Sequence, residues 1–133
     1  MGKVKQKIDK NYIHSELSYK VIGVLFDVYN SLGHGHAESV YQKAIALALS
    51  KSGLKFVEQL YSPVVYEGKV VGKNYFDFCI EDKLVLEIKK GDYFVKSHIE
   101  QVYKYLVSQK MQLGILAYFA PRTVHIKRVV NLQ

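Results

Sequence analysis

The amino-acid sequence predicts an α/β fold, a sandwich in which helices flank both faces of a central mixed β-sheet. Residues 15–32 and 97–109 have apolar side chains at helical spacing. Residues 75–89 alternate in the manner of paired strands, and the nearly all-apolar run 113–119 is typical of a buried strand. The order of helices, strands, helix and strand therefore favours a layered α/β domain.

The chain is long enough for one domain with one hydrophobic core. It has 133 residues, of which 49% are hydrophobic and spread evenly along the sequence, as in folded globular proteins. We expect residues 13–133 to form this single domain. Residues 1–12 are polar and rich in lysine, which predicts a flexible basic N-terminal segment.

Charge and cysteine content indicate the setting of the protein. The formal net charge of +7 favours polyanionic partners, although an ordinary basic protein without such a partner is equally compatible with it. Cys79 is the single cysteine, so no intrachain disulfide forms and a reducing cytoplasm is expected. No apolar run is long enough to span a bilayer and no signal-peptide pattern is present, so we expect no membrane partner.

Two helices are predicted at the start of the domain. Ser15 can cap the first, which runs to about Leu32 and stops at Gly33. The second runs from Ala37 to about Lys51. Its first turn contains Glu38, a carboxylate that would stabilise the helix dipole whether or not it has a further role.

Strands follow the second helix. Residues 54–60 read as one strand, and residues 64–66 and 69–71 flank a hairpin turn at Glu67 and Gly68. Pro63 favours an edge or strand-start position because it lacks a backbone N–H. These pieces predict an antiparallel meander. Its last two strands, within residues 75–89, contain candidate catalytic and metal-binding residues.

Residues 75–89 form the central hairpin of the prediction. The turn falls on residues 81–83, so that Ile80 pairs with Leu84 and Asp77 lies opposite Glu87. One face of the hairpin is then apolar and belongs to the core: Phe76, Phe78, Ile80, Leu84, Leu86 and Ile88. The other face holds Tyr75, Asp77, Cys79, Val85, Glu87 and Lys89.

The second face brings two carboxylates together, where they repel each other unless a positive charge lies between them. Oxygen ligands from Asp77 and Glu87, with the backbone carbonyl of Ile88, suit Mg²⁺ or Mn²⁺. Lys89 projects from the same face. There it can orient an attacking water molecule and offset the charge that develops on a phosphate.

A third helix and two strands complete the domain. In the helix at residues 97–109, His98, Gln101 and Tyr105 share one stripe. A solvated polar edge is the commoner role of such a stripe. Residues 113–119 are expected to form a buried strand beside the central hairpin, and residues 123–130 an edge strand.

These residues resemble the signature of the PD-(D/E)XK, or restriction-endonuclease-like, nuclease superfamily. The resemblance covers residues 17–119 and comprises several motifs in order. They are Asp77 with Glu87-Ile88-Lys89, the G-x-x-E-x-x-Y pattern of Gly35, Glu38 and Tyr41 found in the small GxxExxY proteins, and the Q-x-x-x-Y pattern of Gln101 and Tyr105 found in RecB- and Cas4-like members. Phe76 stands where the superfamily name has proline, at a position that varies among members.

The resemblance implies a metal-dependent nuclease that hydrolyses phosphodiester bonds of nucleic acid, with DNA favoured. It implies that Asp77, Glu87 and the carbonyl of Ile88 bind Mg²⁺ or Mn²⁺, and that Glu38 joins them directly or through water. Lys89 would then act in catalysis. The remaining motif residues, Tyr41, Gln101 and Tyr105, would position substrate, although Tyr41 could equally be a core residue.

Two other functions fit the same fold. One is a non-catalytic nucleic-acid-binding module, and the other is an interaction subunit that works with a partner. A homodimer that makes paired cuts is a further possibility. No separate recognition domain fits within the chain, which favours structure-directed or weakly specific cutting over sequence-specific restriction.

Overall fold

A computed structural model describes residues 13–133 as three helices and a five-stranded sheet, and the predicted flexible segment 1–12 lies outside the described residues. The elements in chain order are α1 (Ser15–Leu32), α2 (Glu38–Lys51), β1 (Phe56–Tyr66), β2 (Lys69–Ile80), β3 (Leu84–Lys90), α3 (Lys96–Gln109), β4 (Leu113–Phe119) and β5 (Val124–Val130). None of the helices described has the length and apolar character needed to cross a membrane.

The sheet is mixed, as predicted. Its strand order is β1-β2-β3-β4-β5. All neighbours are antiparallel except β3 and β4, which are parallel and are joined by α3. A parallel connection needs a crossover of this kind, since a tight turn joins only antiparallel strands. The α/β sandwich of the restriction-endonuclease-like type is therefore confirmed.

The sheet separates two hydrophobic layers. On one face, α1 and α2 pack their apolar sides, including Leu25 and Ile45, against Leu86 and Ile115. On the other face, Val102 and Leu106 of α3 pack against side chains of β3 and β4. This second packing is close at Gly114, where an added Cβ would lie 2.5 Å from Cγ1 of Val102. The close approach of α3 therefore requires glycine at that position.

The start of α1 differs from the prediction. His14 precedes the helix in a left-handed conformation with φ of 48°, and no side chain caps the helix. The carbonyl of His14 already accepts the N–H of Ser18 at 2.8 Å, so Ser15 is the first helical residue. The expectation that Ser15 caps the helix was wrong.

The predicted apolar face of the central hairpin is also corrected at one residue. Phe78 packs in the layer of α1 and α2, whereas Phe76 packs in the layer of α3. Opposite the intervening residue, Asp77, lies Gln59 of β1, which has a positive φ of 53°. A left-handed residue interrupts the two-residue alternation of its own strand, here β1. Leu60, the partner of Phe76, accordingly faces α3 as well.

Candidate active site

The strands β2 and β3 separate at the predicted acidic pair. Their pairing comprises Ile80–Leu84, Cys79–Val85 and Phe78–Leu86, so the predicted register is correct. Beyond Phe78 and Leu86, carboxylates replace the ladder. The N–H of Asp77 donates to Oε1 of Glu87 at 3.1 Å, and the N–H of Ile88 donates to Oδ2 of Asp77 at 2.8 Å. We call this opening between the strands the carboxylate gap.

Glu87 is in an unusual electrostatic position in the carboxylate gap. The residue is only 6% exposed. Its pKa is raised from 4.5 to about 9, first by burial and then by the hydrogen bond and charge of Asp77. The ammonium of Lys89, 3.8 Å from Oε2 of Glu87, opposes this rise in the pKa without cancelling it. The gap therefore favours either a proton on Glu87 or a bound cation.

The atoms around the carboxylate gap fit a divalent cation of the hard type. Asp77 and Glu87 supply carboxylate oxygens. Because the N–H and C=O of one strand residue point to the same side, the carbonyl of Ile88 also faces β2. Within residues 13–133 no group of three or more His, Cys, Asp or Glu side chains is assembled for a metal. Mg²⁺ commonly binds one or two carboxylates and takes its remaining ligands from water and substrate phosphate.

Glu38 lies beside the acidic pair rather than within it. It occupies the first turn of α2, and its Oε2 accepts the N–H of Lys90 at 3.0 Å. This bond ties the start of α2 to the end of β3, next to Lys89. That Glu38 joins the ion, directly or through water, stays a prediction.

Lys89 lies among side chains from three elements. The lysine is 28% exposed, and His98 of α3 is close enough for the charge of Lys89 to affect it. Burial and then that charge lower the pKa of His98, while Glu38 opposes the effect. Because its ordinary pKa is about 6.5, His98 is neutral at pH 7. A neutral imidazole can accept a proton beside the lysine.

Tyr118 fixes the ring of His98. Its hydroxyl is hydrogen-bonded to Nδ1 of His98 and accepts the N–H of Val95 at 3.2 Å. In the parallel register Tyr118 pairs with Lys89, which brings it to the end of β3. Tyr118 was not among the predicted site residues, because its strand is a nearly all-apolar run that was interpreted as a buried strand. A phenol in a buried strand, which needs a hydrogen-bond partner, was the available signal.

Tyr41 belongs to the core, the alternative that the sequence had left open. It is fully buried and stacks on Phe119 with ring centroids 4.3 Å apart. Its hydroxyl donates to the carbonyl of Gly33 at 2.5 Å and receives the N–H of His36. Tyr41 therefore holds the loop between α1 and α2, and through that loop it fixes the helix start that carries Glu38.

Gln101 and Tyr105 lie along the side of α3 that faces the β1–β2 hairpin. They line a cavity of about 280 Å³ between these two elements, together with Lys104 and residues of the hairpin. The ring of Tyr105 lies against Phe76, with centroids 4.9 Å apart. The structure therefore brings Asp77, Glu87 and Lys89 together and leaves Gln101 and Tyr105 on an adjoining surface.

In metal-free protein, the free energy of unfolding is expected to fall as pH rises from about 4.5 to about 9. The raised pKa of Glu87 means that the folded state binds the proton more tightly than the unfolded state across that range. Glu87→Gln removes the titrating group but keeps an oxygen for the N–H of Asp77. We expect this variant to gain about 1–3 kcal/mol at pH 8, measured by thermal unfolding at several pH values.

Glu58→Gln is the matched control, because Glu58 is exposed on β1 and should leave the pH dependence unchanged. A Glu87→Gln variant that is less stable than the wild type at pH 8 would show that Glu87 is ionised and already well paired in the metal-free fold.

Most of the chain matches one known protein family. A family model described as the PD-(D/E)XK nuclease superfamily matches residues 15–129. No curated protein matches the chain. Among solved structures, the crystal structure of SSO0001 is similar with a TM-score of 0.53 at 19% identity, covering 97% of this chain and 70% of the other. That similarity concerns the fold alone.

Proposed function

Because the chain belongs to the PD-(D/E)XK nuclease superfamily, we propose that it hydrolyses phosphodiester bonds of nucleic acid, with DNA as the favoured substrate, and requires Mg²⁺ or Mn²⁺. The observation that carries this proposal is the carboxylate gap. In this gap Asp77 and the buried Glu87 lie against each other at the end of a strand pair, and Nζ of Lys89 lies 3.8 Å from Oε2 of Glu87.

Asp77, Glu87 and the carbonyl of Ile88 would hold the ion, and Glu38 would contact it through water. The ion would lower the pKa of water and neutralise charge on the scissile phosphate. Binding it relieves the repulsion between the two carboxylates, which burial of Glu87 makes costly. The acidic pair thus lowers the free energy of unfolding of the metal-free protein, and a bound cation would restore it.

Lys89 orients the attacking water and stabilises the negative charge of the pentavalent phosphate. Its ammonium lies 3.8 Å from Oε2 of Glu87 and is close enough to His98 to lower the pKa of that imidazole. His98, fixed by Tyr118 and neutral at pH 7, is placed to exchange a proton with water near Lys89. Glu38 braces the same end of β3 from α2.

Gln101 and Tyr105 position substrate on the adjoining surface. Both line the cavity between α3 and the hairpin, where Lys104 adds a positive charge. Amide and hydroxyl groups beside a lysine suit a phosphate backbone. The order of the GxxExxY-like and QxxxY-like motifs supports this assignment. Cys79 is buried and free, which supports a cytoplasmic setting.

Metal dependence of cleavage tests the proposal. Metal-free protein is incubated with labelled single-stranded DNA, duplex DNA and RNA, each with Mg²⁺, Mn²⁺ or EDTA. We expect cleavage of at least one substrate with Mg²⁺ or Mn²⁺ and none with EDTA. Absence of cleavage from every substrate with either ion would contradict the nuclease proposal and favour a binding module on the same fold.

A further inference from the structure

An exposed aromatic pair lies on the β1–β2 hairpin. Tyr61 and Tyr75 are direct cross-strand partners, with ring centroids 5.6 Å apart. They are 46% and 44% exposed. The ammonium of Lys73, on the same face, lies 5.8 Å from the centre of the Tyr75 ring. We call Tyr61, Tyr75 and Lys73 the tyrosine platform.

The tyrosine platform adjoins the carboxylate gap. Tyr75 precedes Asp77 by two residues on β2, which is a separation of about 7 Å along a strand. The hairpin beyond this point is largely exposed on both of its strands, and β1 is an edge strand of the sheet. Because the neighbouring residues Leu60 and Phe76 face α3, the tyrosine platform lies on the face of the hairpin away from α3. A polymer whose phosphate lies at Asp77 can extend along that exposed face.

We propose that the tyrosine platform stacks the bases of a single-stranded nucleic acid whose scissile phosphate lies at the carboxylate gap. This inference rests on the proposed function and names its substrate class. Phenol rings stack on the faces of bases, and those faces are free in a single strand but covered in a duplex. Lys73 pairs with a phosphate beside the stacked base. The chain's net charge of +7 attracts the same polymer.

A structural role for the same pair makes a different prediction. Cross-strand aromatic pairs stabilise hairpins, so Tyr61 and Tyr75 could serve only to support this one. Loss of a purely structural pair would lower the melting temperature and weaken binding of any polyanion to the hairpin alike. Loss of a stacking platform would weaken binding only where the ligand has bases.

The test compares two ligands that differ only in their bases. A fluorescein-labelled oligothymidylate and an abasic oligonucleotide of the same length are titrated by anisotropy in EDTA, which prevents cleavage. We expect the wild type to bind the thymidylate about tenfold more tightly than the abasic strand. Tyr75→Leu and Tyr61→Leu should lose this preference, and Tyr75→Phe should retain it.

Tyr19→Leu is the matched control, because Tyr19 is 82% exposed on α1, and it should leave the preference unchanged. Equal binding of thymidylate and abasic strands by the wild type would overturn the inference, as would an unchanged preference in both leucine variants. The ratio of the two affinities within each variant is insensitive to partial loss of folded protein.

Hydrolysis of bis(p-nitrophenyl) phosphate with Mn²⁺ separates this inference from the proposed function. This small phosphodiester offers no chain to cross the hairpin. Wild-type-like hydrolysis by Tyr75→Leu, together with lost thymidylate preference, is the expected result. If the wild type hydrolyses this substrate but does not prefer thymidylate over the abasic strand, the stacking proposal alone is contradicted. If the wild type does not hydrolyse it, the proposed metal site is contradicted.

Discussion

Asp77→Asn is expected to lower metal-dependent cleavage by at least about 10³-fold and to leave the fold intact. The substitution removes one of the two negative charges that would hold the ion. The ion would stabilise the transition state by several kcal/mol, and each step of about 1.36 kcal/mol corresponds to a tenfold change in rate. The asparagine oxygen can still accept the N–H of Ile88, which donates to Asp77 at 2.8 Å. β2 and β3 should therefore keep their positions while metal-dependent cleavage is lost.

Initial rates at saturating Mg²⁺ measure this effect, and circular dichroism with thermal unfolding checks the fold. Asp82→Asn is the matched control, since Asp82 lies in the exposed turn at the other end of the same two strands. It has a positive φ of 55°, which asparagine tolerates well. An Asp77→Asn enzyme that retained more than about a tenth of the wild-type rate would exclude Asp77 as an essential metal ligand.

Lys89→Met should lower kcat by about 10²–10³-fold, the typical cost of removing one charge-stabilising donor. Methionine keeps an unbranched stem of similar shape but has no ammonium. Lys89 lies 3.8 Å from Oε2 of Glu87 but is not a proposed ligand of the ion, so we expect the ion to bind still and KM to change little. Loss of the positive charge also raises the pKa of Glu87 further, which should shift the rise of the pH–rate profile to higher pH.

Lys90→Met is the control for this prediction. Lys90 is the next residue of β3 and contacts Glu38 through its backbone N–H, which the substitution leaves unchanged. Steady-state kinetics across pH distinguish the two variants. Equal losses in Lys89→Met and Lys90→Met would indicate a general effect of positive charge on substrate binding, and would remove the catalytic role from Lys89.

The elements with strong local patterns were predicted well. The bounds of β4 match the apolar run at residues 113–119, and the end of α1 matches Gly33. The register of the central hairpin followed from its turn, because a short loop and the two-residue period of a strand leave few alternatives. These features depend on neighbours in the sequence, which is why sequence reasoning recovered them.

Features that depend on distant residues were not recovered. Phe76 packs on the α3 side of the sheet, where the neighbouring strand contains the left-handed residue Gln59, and nothing in the local alternation of β2 indicates this. The bond between Tyr118 and His98 joins β4 to α3 across the parallel crossover. The contact of Glu38 with Lys90 spans α2 and β3. Each is set by the packing of elements rather than by spacing along the chain.

The acidic pair at Asp77 and Glu87 is the central claim, and calorimetric titration of Mn²⁺ into metal-free wild type and Asp77→Asn tests it most directly. The account predicts saturable binding to the wild type that is lost in the variant. Because substrate phosphate can complete the coordination, the titration is repeated with a short single-stranded oligonucleotide and with a duplex. Binding that is equal in both proteins, or absent from the wild type with either nucleic acid present, would contradict a metal site between β2 and β3.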